Sequence, residues 1–213
     1  MTDATGWVAA GLTVGLLLVY ELALAVAQRR HPDRLARSAH AGLREDWCVA
    51  MSAHPGSEIL AVQTLRNSVM SATMIASTAV LGLVGTVTLA APSLNASLGN
   101  GGTPVLTARL ALELVLLTLL FSSLVTSVMA VRYYNHAGFI TAMPVGSEAR
   151  QKWAHAGVVY VRRAGILYSL GLRHLILVAP ILASILHPLA GPLAGVLVVA
   201  VLYGFDRAAL LKT

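Results

Sequence analysis

Apolar and polar residues in this chain segregate into long blocks and do not alternate at short range. The first apolar block covers residues 7–27. At about 1.5 Å per residue, a helix of that length crosses the roughly 30 Å hydrocarbon core of a bilayer. A polar stretch follows with Arg29, Arg30, Arg34, Arg37 and Arg44. The second block, residues 69–91, is closed by Pro92. Its helix is expected to begin much earlier. Pro55-Gly56 breaks the chain, Ser57 is placed to cap, and Glu58 complements the helix dipole. Such a helix stands out of the membrane by roughly three turns. The third block, 107–131, is expected to run on through Tyr133, Tyr134, Asn135 and His136 toward Met143-Pro144. Val145-Gly146-Ser147 predicts a turn, and Ser147 with Glu148 opens a further helix. That helix is amphipathic around Arg150, Lys152 and Trp153 and apolar over 164–186. His187-Pro188 ends it, and residues 189–205 form a short fifth span at the lower limit for crossing.

Residues 92–106 carry no charge and are rich in Gly, Asn and Ser, which predicts an outer loop. Asn95-Ala96-Ser97 within it matches a glycosylation sequon, a triplet common by chance. No evenly spaced alternating strands appear, so helices alone must cross. The expected fold is all-α: one polytopic transmembrane bundle over residues 1–213 with about five spans. Spans two, three and four extend into the cytoplasm, through segments 28–68 and 132–163.

Composition supports this. Of 213 residues 57% are hydrophobic and 11% charged, against roughly 45–50% and about 25% in soluble domains. The net charge of +6 would suggest nucleic acid in a soluble protein, but here the basic residues flank apolar spans. Topology is the simpler reading, and no nucleic-acid partner is expected. Thirteen of the fifteen Lys and Arg lie in 28–68, 132–163 and the C-terminal tail. That places the N-terminus outside and the C-terminus in the cytoplasm, in a cell membrane, with a bacterial inner membrane favoured. Ala25-Val26-Ala27 resembles a signal-peptidase site. The block before it is longer than a signal core of about 7–15 residues, and no basic residue precedes it, so a retained span is expected. The single cysteine, Cys48, permits no intramolecular disulfide.

Four ionisable residues fall at membrane depth: Glu21, Glu113, Arg173 and His174. Such residues are costly in lipid and face a partner or a wet cavity. Arg109 and Glu113 are i,i+4 and expected to pair on one face. For Glu21 and Arg173 two readings stand: ion pairing that fixes helix packing, or a solute or proton path. On the stub below span two, Gln63, Arg66, Asn67 and Met70 recur at spacings of three and four, one stripe on one face. With Arg132, Tyr133, Tyr134, Asn135 and His136 on the adjoining helix end, the polar members are expected to form a cytoplasmic vestibule or an interhelical network.

Two runs carry a family likeness. His54-Pro55-Gly56-Ser57-Glu58-Ile59-Leu60-Ala61-Val62-Gln63-Thr64-Leu65-Arg66-Asn67 and Arg132-Tyr133-Tyr134-Asn135-His136-Ala137-Gly138-Phe139 resemble the DUF599 family of small membrane proteins of unknown function. The resemblance implies a multi-pass membrane protein. It implies no activity, ligand or catalytic residue.

Seven histidines raise a metal or haem, yet no H-E-x-x-H, close His-x-x-His or C-x-x-C-H spacing occurs. G-x-S-x-G, P-loop and G-x-G-x-x-G motifs are also absent. No catalytic residue and no cofactor is expected. Gly11-x-x-x-Gly15 and Gly191-x-x-x-Gly195 allow close helix contact, inside the bundle or between subunits. The leading functional expectation is an oligomeric, channel- or transporter-like protein for a small solute or ion. Alternatives are an accessory subunit that docks a partner membrane protein through its cytoplasmic helix ends, and a metal- or haem-binding membrane protein. The bilayer and a second copy of the chain are the expected partners.

Overall fold

The computed structural model describes residues 3–32, 35–98 and 106–207. Six helices account for nearly all of them: α1 (Asp3–Arg30), α2 (Ala36–Ala53), α3 (Glu58–Leu98), α4 (Ala108–Ala142), α5 (Glu148–Leu186) and α6 (Ala190–Asp206). Four of these, α1, α3, α4 and α5, are long and apolar enough to cross a membrane, and α6 is a shorter apolar helix. The chain is therefore an all-α bundle, built as a membrane protein is built.

The breakers act largely where the sequence puts them. Gly56 and Gly146 sit at φ 85° and 86°, the left-handed region that a Cβ disfavours, and each turns the chain between two helices. Ser147 caps α5 by accepting from the Arg150 N–H, and His187 closes that helix. Three local expectations need correction. First, segment 28–68 holds a whole helix, α2, that the pattern of apolar residues did not reveal. Its packed residues are small (Ala36, Ala41 and Cys48), so its buried face has little hydrophobic weight. Second, α3 does not end at Pro92 but continues to Leu98. Proline removes one N–H from the ladder while keeping a helical φ, and apolar spans tolerate this. The sequon thus lies on a helix, and residues 99–105 of the expected loop lie outside the described residues. Third, Ser57 does not cap α3 with its side chain. Its hydroxyl donates to the carbonyls of Met51 and His54, sealing the end of α2.

α4 packs along α3 on one side and α5 on the other, while α3 touches α5 only sparsely. α6 folds back on α5 and α1, and α2 lies against α5. One core joins Ala10, Leu17, Leu112, Leu116, Leu120, Leu177, Ile181 and Leu202 from α1, α4, α5 and α6. A second lies nearer α2 and is built on small residues, with Ala72, Ala130, Ala137 and Ala164 wholly buried beside Cys48, Tyr134 and Val161. Small side chains let helices approach closely where apolar transfer between helices offers little drive. Gly171 serves the same end: a Cβ there would collide with Ser127, and its carbonyl accepts from Ser123 Oγ at 2.7 Å. Gly191 and Gly195 likewise pack inward, against Ser184, Thr13 and Leu16, whereas Gly11 and Gly15 look into open space.

Candidate functional site

Most basic residues gather at one end of the bundle, where α2, the start of α3, the end of α4 and the start of α5 meet. Arg150 organises this basic end. It is 3% exposed, and its guanidinium donates to the carbonyls of Thr141 (3.0 Å), Met143 (2.6 Å) and Met51 (3.3 Å). Those carbonyls belong to the last turns of α4 and α2, which lack helical N–H partners. A cation at helix C-termini satisfies them and complements both dipoles. On the same level the Val145 N–H donates to Glu58 Oε1 at 2.9 Å, tying the α4–α5 turn to the start of α3. That hydrogen bond holds the Glu58 carboxyl below the usual carboxylate range. Glu45 of α2 pairs with Arg162 of α5 at 3.1 Å. Cys48 is buried beneath α2, and burial pushes its thiol up.

Above this base lies a pocket of about 340 Å³, lined by Arg44, Thr64, Asn67, Ser68, Ser71, Tyr134 and Tyr168. Arg44 extends from α2 across the face of α5 at Gly165, where a Cβ would meet the guanidinium at 2.6 Å. Its one side-chain hydrogen bond among the described residues, to the His40 carbonyl, is long at 3.4 Å, and no carboxylate pairs with it. Tyr134 is buried, which pushes its phenol up, while the nearby Arg44 charge pulls the other way. The phenol is therefore a hydroxyl donor at neutral pH. The hydroxyls of Thr64, Ser68 and Ser71 donate to their own helix, to the carbonyls of Leu60, Thr64 and Asn67, so the Arg44 guanidinium, the Asn67 amide and the Tyr134 and Tyr168 hydroxyls are the donors the pocket offers to an oxyanion.

The vestibule expected from the sequence is only partly assembled. Asn67 and Tyr134 line the pocket. Gln63, Arg66, Arg132, Asn135 and His136 are exposed and do not line it. His136 stacks near Tyr160, with ring centroids 5.8 Å apart. The residues missed are Arg44, which lies on the unforeseen α2, Thr64 and Ser68, which flank the expected stripe on α3, and Tyr168 and Ser71, which sit inside apolar spans.

The second polar centre is an ionic clasp among α1, α5 and α6. Arg173 Nε donates to Glu21 Oε1 at 2.6 Å, and Nη1 to both oxygens of Asp206 at 2.9 and 3.0 Å. The Tyr20 hydroxyl donates to Asp206 Oδ2 at 2.6 Å, and the guanidinium lies 5.3 Å from the Tyr20 ring centroid. Asp206 was not foreseen as part of a site. The signal was available: an acid in the last turn of a helix opposes the macrodipole and needs a cation nearby. His174 stands beside the clasp with a buried Nδ1 that has no hydrogen-bond partner among the described residues. Glu113 is fully buried and accepts from Arg109 Nε at 2.9 Å near the other end of the bundle. Among the described residues no three His, Cys, Asp or Glu side chains cluster as metal ligands do.

A bundle of long apolar helices with Glu21, Glu113, Arg173 and Asp206 paired inside and its free basic charge at one end is a multi-pass membrane protein. The chain belongs to the DUF599 family of proteins of unknown function, whose model matches residues 8–210. No curated protein and no solved structure matches it.

Proposed function

We propose that this protein binds a small anion in the pocket at its basic end, as the recognition step of a channel- or transporter-like activity. The basic end faces the cytoplasm, the N-terminus lies outside, and the membrane is a cell membrane of the bacterial inner type, on the positive-inside argument. One observation carries the reading. Arg44 is half-buried, lacks an acidic partner among the described residues, and shares its pocket with the Asn67 amide and the Tyr134 and Tyr168 hydroxyls. A half-buried guanidinium with no carboxylate beside it is a ready partner for an anion.

Glu21 and Arg173 favour a different role from the pocket. With Asp206 they form a neutralising clasp, which supports helix packing over a wet path at that depth. Passage of a solute then calls for movement between helices or for a second copy. The outward Gly11 and Gly15 leave room for one beside α1.

The test is thermal unfolding of the detergent-purified protein with millimolar inorganic phosphate, glycerol 3-phosphate or acetate. Stabilisation of the wild type, and its loss in Arg44→Gln, is the expected result. Equal shifts in both proteins would exclude Arg44 as the anion contact.

A further inference from the structure

The polar pocket does not stand alone on its face of α3. Thr64, Asn67, Ser68 and Ser71 recur at spacings of three and four, and the stripe continues through Ile75 to Thr78, Gly82, Gly85, Thr86 and Leu89. Residues so spaced share one side of a helix. The upper members line a second cavity of about 330 Å³, with Leu116 and Leu120 of α4 and Leu175, Val178 and Leu182 of α5 as its other walls. The helical spacing extends to the neighbours. Tyr168 of the polar pocket and Leu175 and Leu182 of the upper cavity lie seven residues apart along α5.

The two cavities thus lie in succession along one seam, with the buried Ile75 between them. The seam exists because α3 leans on α4 and scarcely meets α5. The upper stretch is chemically apolar despite its threonines. Thr78 and Thr86 each donate to their own helix, to the carbonyls of Met74 and Gly82 at 2.9 and 2.8 Å. Gly85 leaves its floor empty, since a Cβ there would meet nothing within 4 Å.

We infer that the seam is a binding site for an anionic lipid: the phosphate lies against Arg44, the Asn67 amide and the Tyr134 and Tyr168 hydroxyls, and one hydrocarbon chain runs up the apolar slot. This rests on the anion reading above and names the ligand class for the same pocket. Charge complementarity fixes the end at which the head sits. The order of chemistry along α3, polar then apolar, matches that of a lipid entering from the headgroup layer. Dimensions agree. The slot extends roughly 16 Å from Thr78 to Leu89, about half the hydrocarbon thickness. Measured from Ser71, the seam reaches roughly 27 Å, so a chain that fills it passes the bilayer midplane. Long chains are therefore preferred to short ones.

The experiment is native mass spectrometry and thermal unfolding of the full-length protein in mild detergent. The probes are phosphatidic acids of increasing chain length, phosphatidylcholine with the same chains, glycerol 3-phosphate and inorganic phosphate. Long-chain phosphatidic acid is expected to be retained and to stabilise most. Arg44→Gln should lower its retention about tenfold, the loss of a charge-assisted pair. Gly85→Leu fills the slot from an open position with a better helix former, and should abolish the chain-length dependence while glycerol 3-phosphate still binds. Gly165→Ala, which pushes the Arg44 guanidinium off its seat, is the second route should Arg44→Gln fold poorly. Exposed Lys152, changed to Gln, is the control and should behave as wild type.

Equal retention of phosphatidylcholine would reduce the seam to ordinary lipid contact and overturn the inference. Arg44-dependent binding of glycerol 3-phosphate as strong as that of the lipid, indifferent to Gly85→Leu, would also overturn it, while leaving the anion reading intact. No binding of any anion would overturn both.

Discussion

Replacing Arg173 by Met should destabilise the bundle far more than removing either of its acidic partners. The Arg173 side chain is 7% exposed, while those of Glu21 and Asp206 are 32% and 21% exposed. Loss of the cation strands two carboxylates against each other, one hydrogen bond from Tyr20 remaining to Asp206. Breaking a buried ion pair in this way costs about 3–5 kcal/mol. For a chain of this size that corresponds to a fall in apparent melting temperature of roughly 6–20 °C, toward the lower end because both acids keep some access to polar surroundings. Glu21→Gln or Asp206→Asn leaves Arg173 with one carboxylate, so each alone should cost only about 1–3 kcal/mol. Together they leave the cation unpaired, and the double variant should lose more than the sum, with a coupling of about 0.5–3 kcal/mol. The assay is intrinsic-fluorescence melting of all four variants in one detergent. Strict additivity of the two acid variants, or an Arg173→Met protein that melts with the wild type, would refute the clasp as the element that joins α1, α5 and α6.

Three further outcomes follow from the basic end. Arg150→Met should cost about 1.5–3 kcal/mol or more, since the helix-end carbonyls of α2 and α4 lose a charged donor; the same melting assay measures it. Cys48, buried with its thiol pushed up, should resist maleimide in the folded protein and react in Arg150→Met once α2 lifts, as read by mass shift over time. Glu58 is held below the usual carboxylate range, so its contribution is complete above that range and is lost as pH falls through its lowered value. Glu58→Gln should therefore lower stability in the neutral region and flatten the acid limb of the stability–pH curve, the two proteins converging in acid.

Much of the architecture was legible because long apolar blocks and breakers are strong signals. Pro55-Gly56, Val145-Gly146-Ser147 and His187-Pro188 each mark a real helix boundary. Helix α2 was not legible, because its packing uses alanine and a cysteine where larger residues would have betrayed a buried face. Pro92 misled for the opposite reason: a strong breaker in water is a mild one in an apolar helix. The polar stripe on α3 was visible, yet its direction was not. Spacing says that Gln63, Arg66 and Asn67 lie near one another, but only the partner helices decide which edge of the stripe is covered. They cover the edge bearing Ala61, Leu65 and Ala72, leave Thr64, Ser68 and Ser71 at the rim of the pocket, and leave Gln63 and Arg66 outside it. Arg44 and Asp206 were hidden because each meets its surroundings through contacts distant in sequence.

The clasp also imposes an order on biogenesis. Glu21 is synthesised early and Arg173 much later, and the second acid, Asp206, emerges last. When α5 first enters the membrane its arginine therefore has only one carboxylate to meet, and its insertion draws on α1 having arrived. Helix α6 is short for a span, and Asp206 gives its final turn a cation to anchor on. A chain cut short before Asp206 thus carries an undercompensated arginine in lipid.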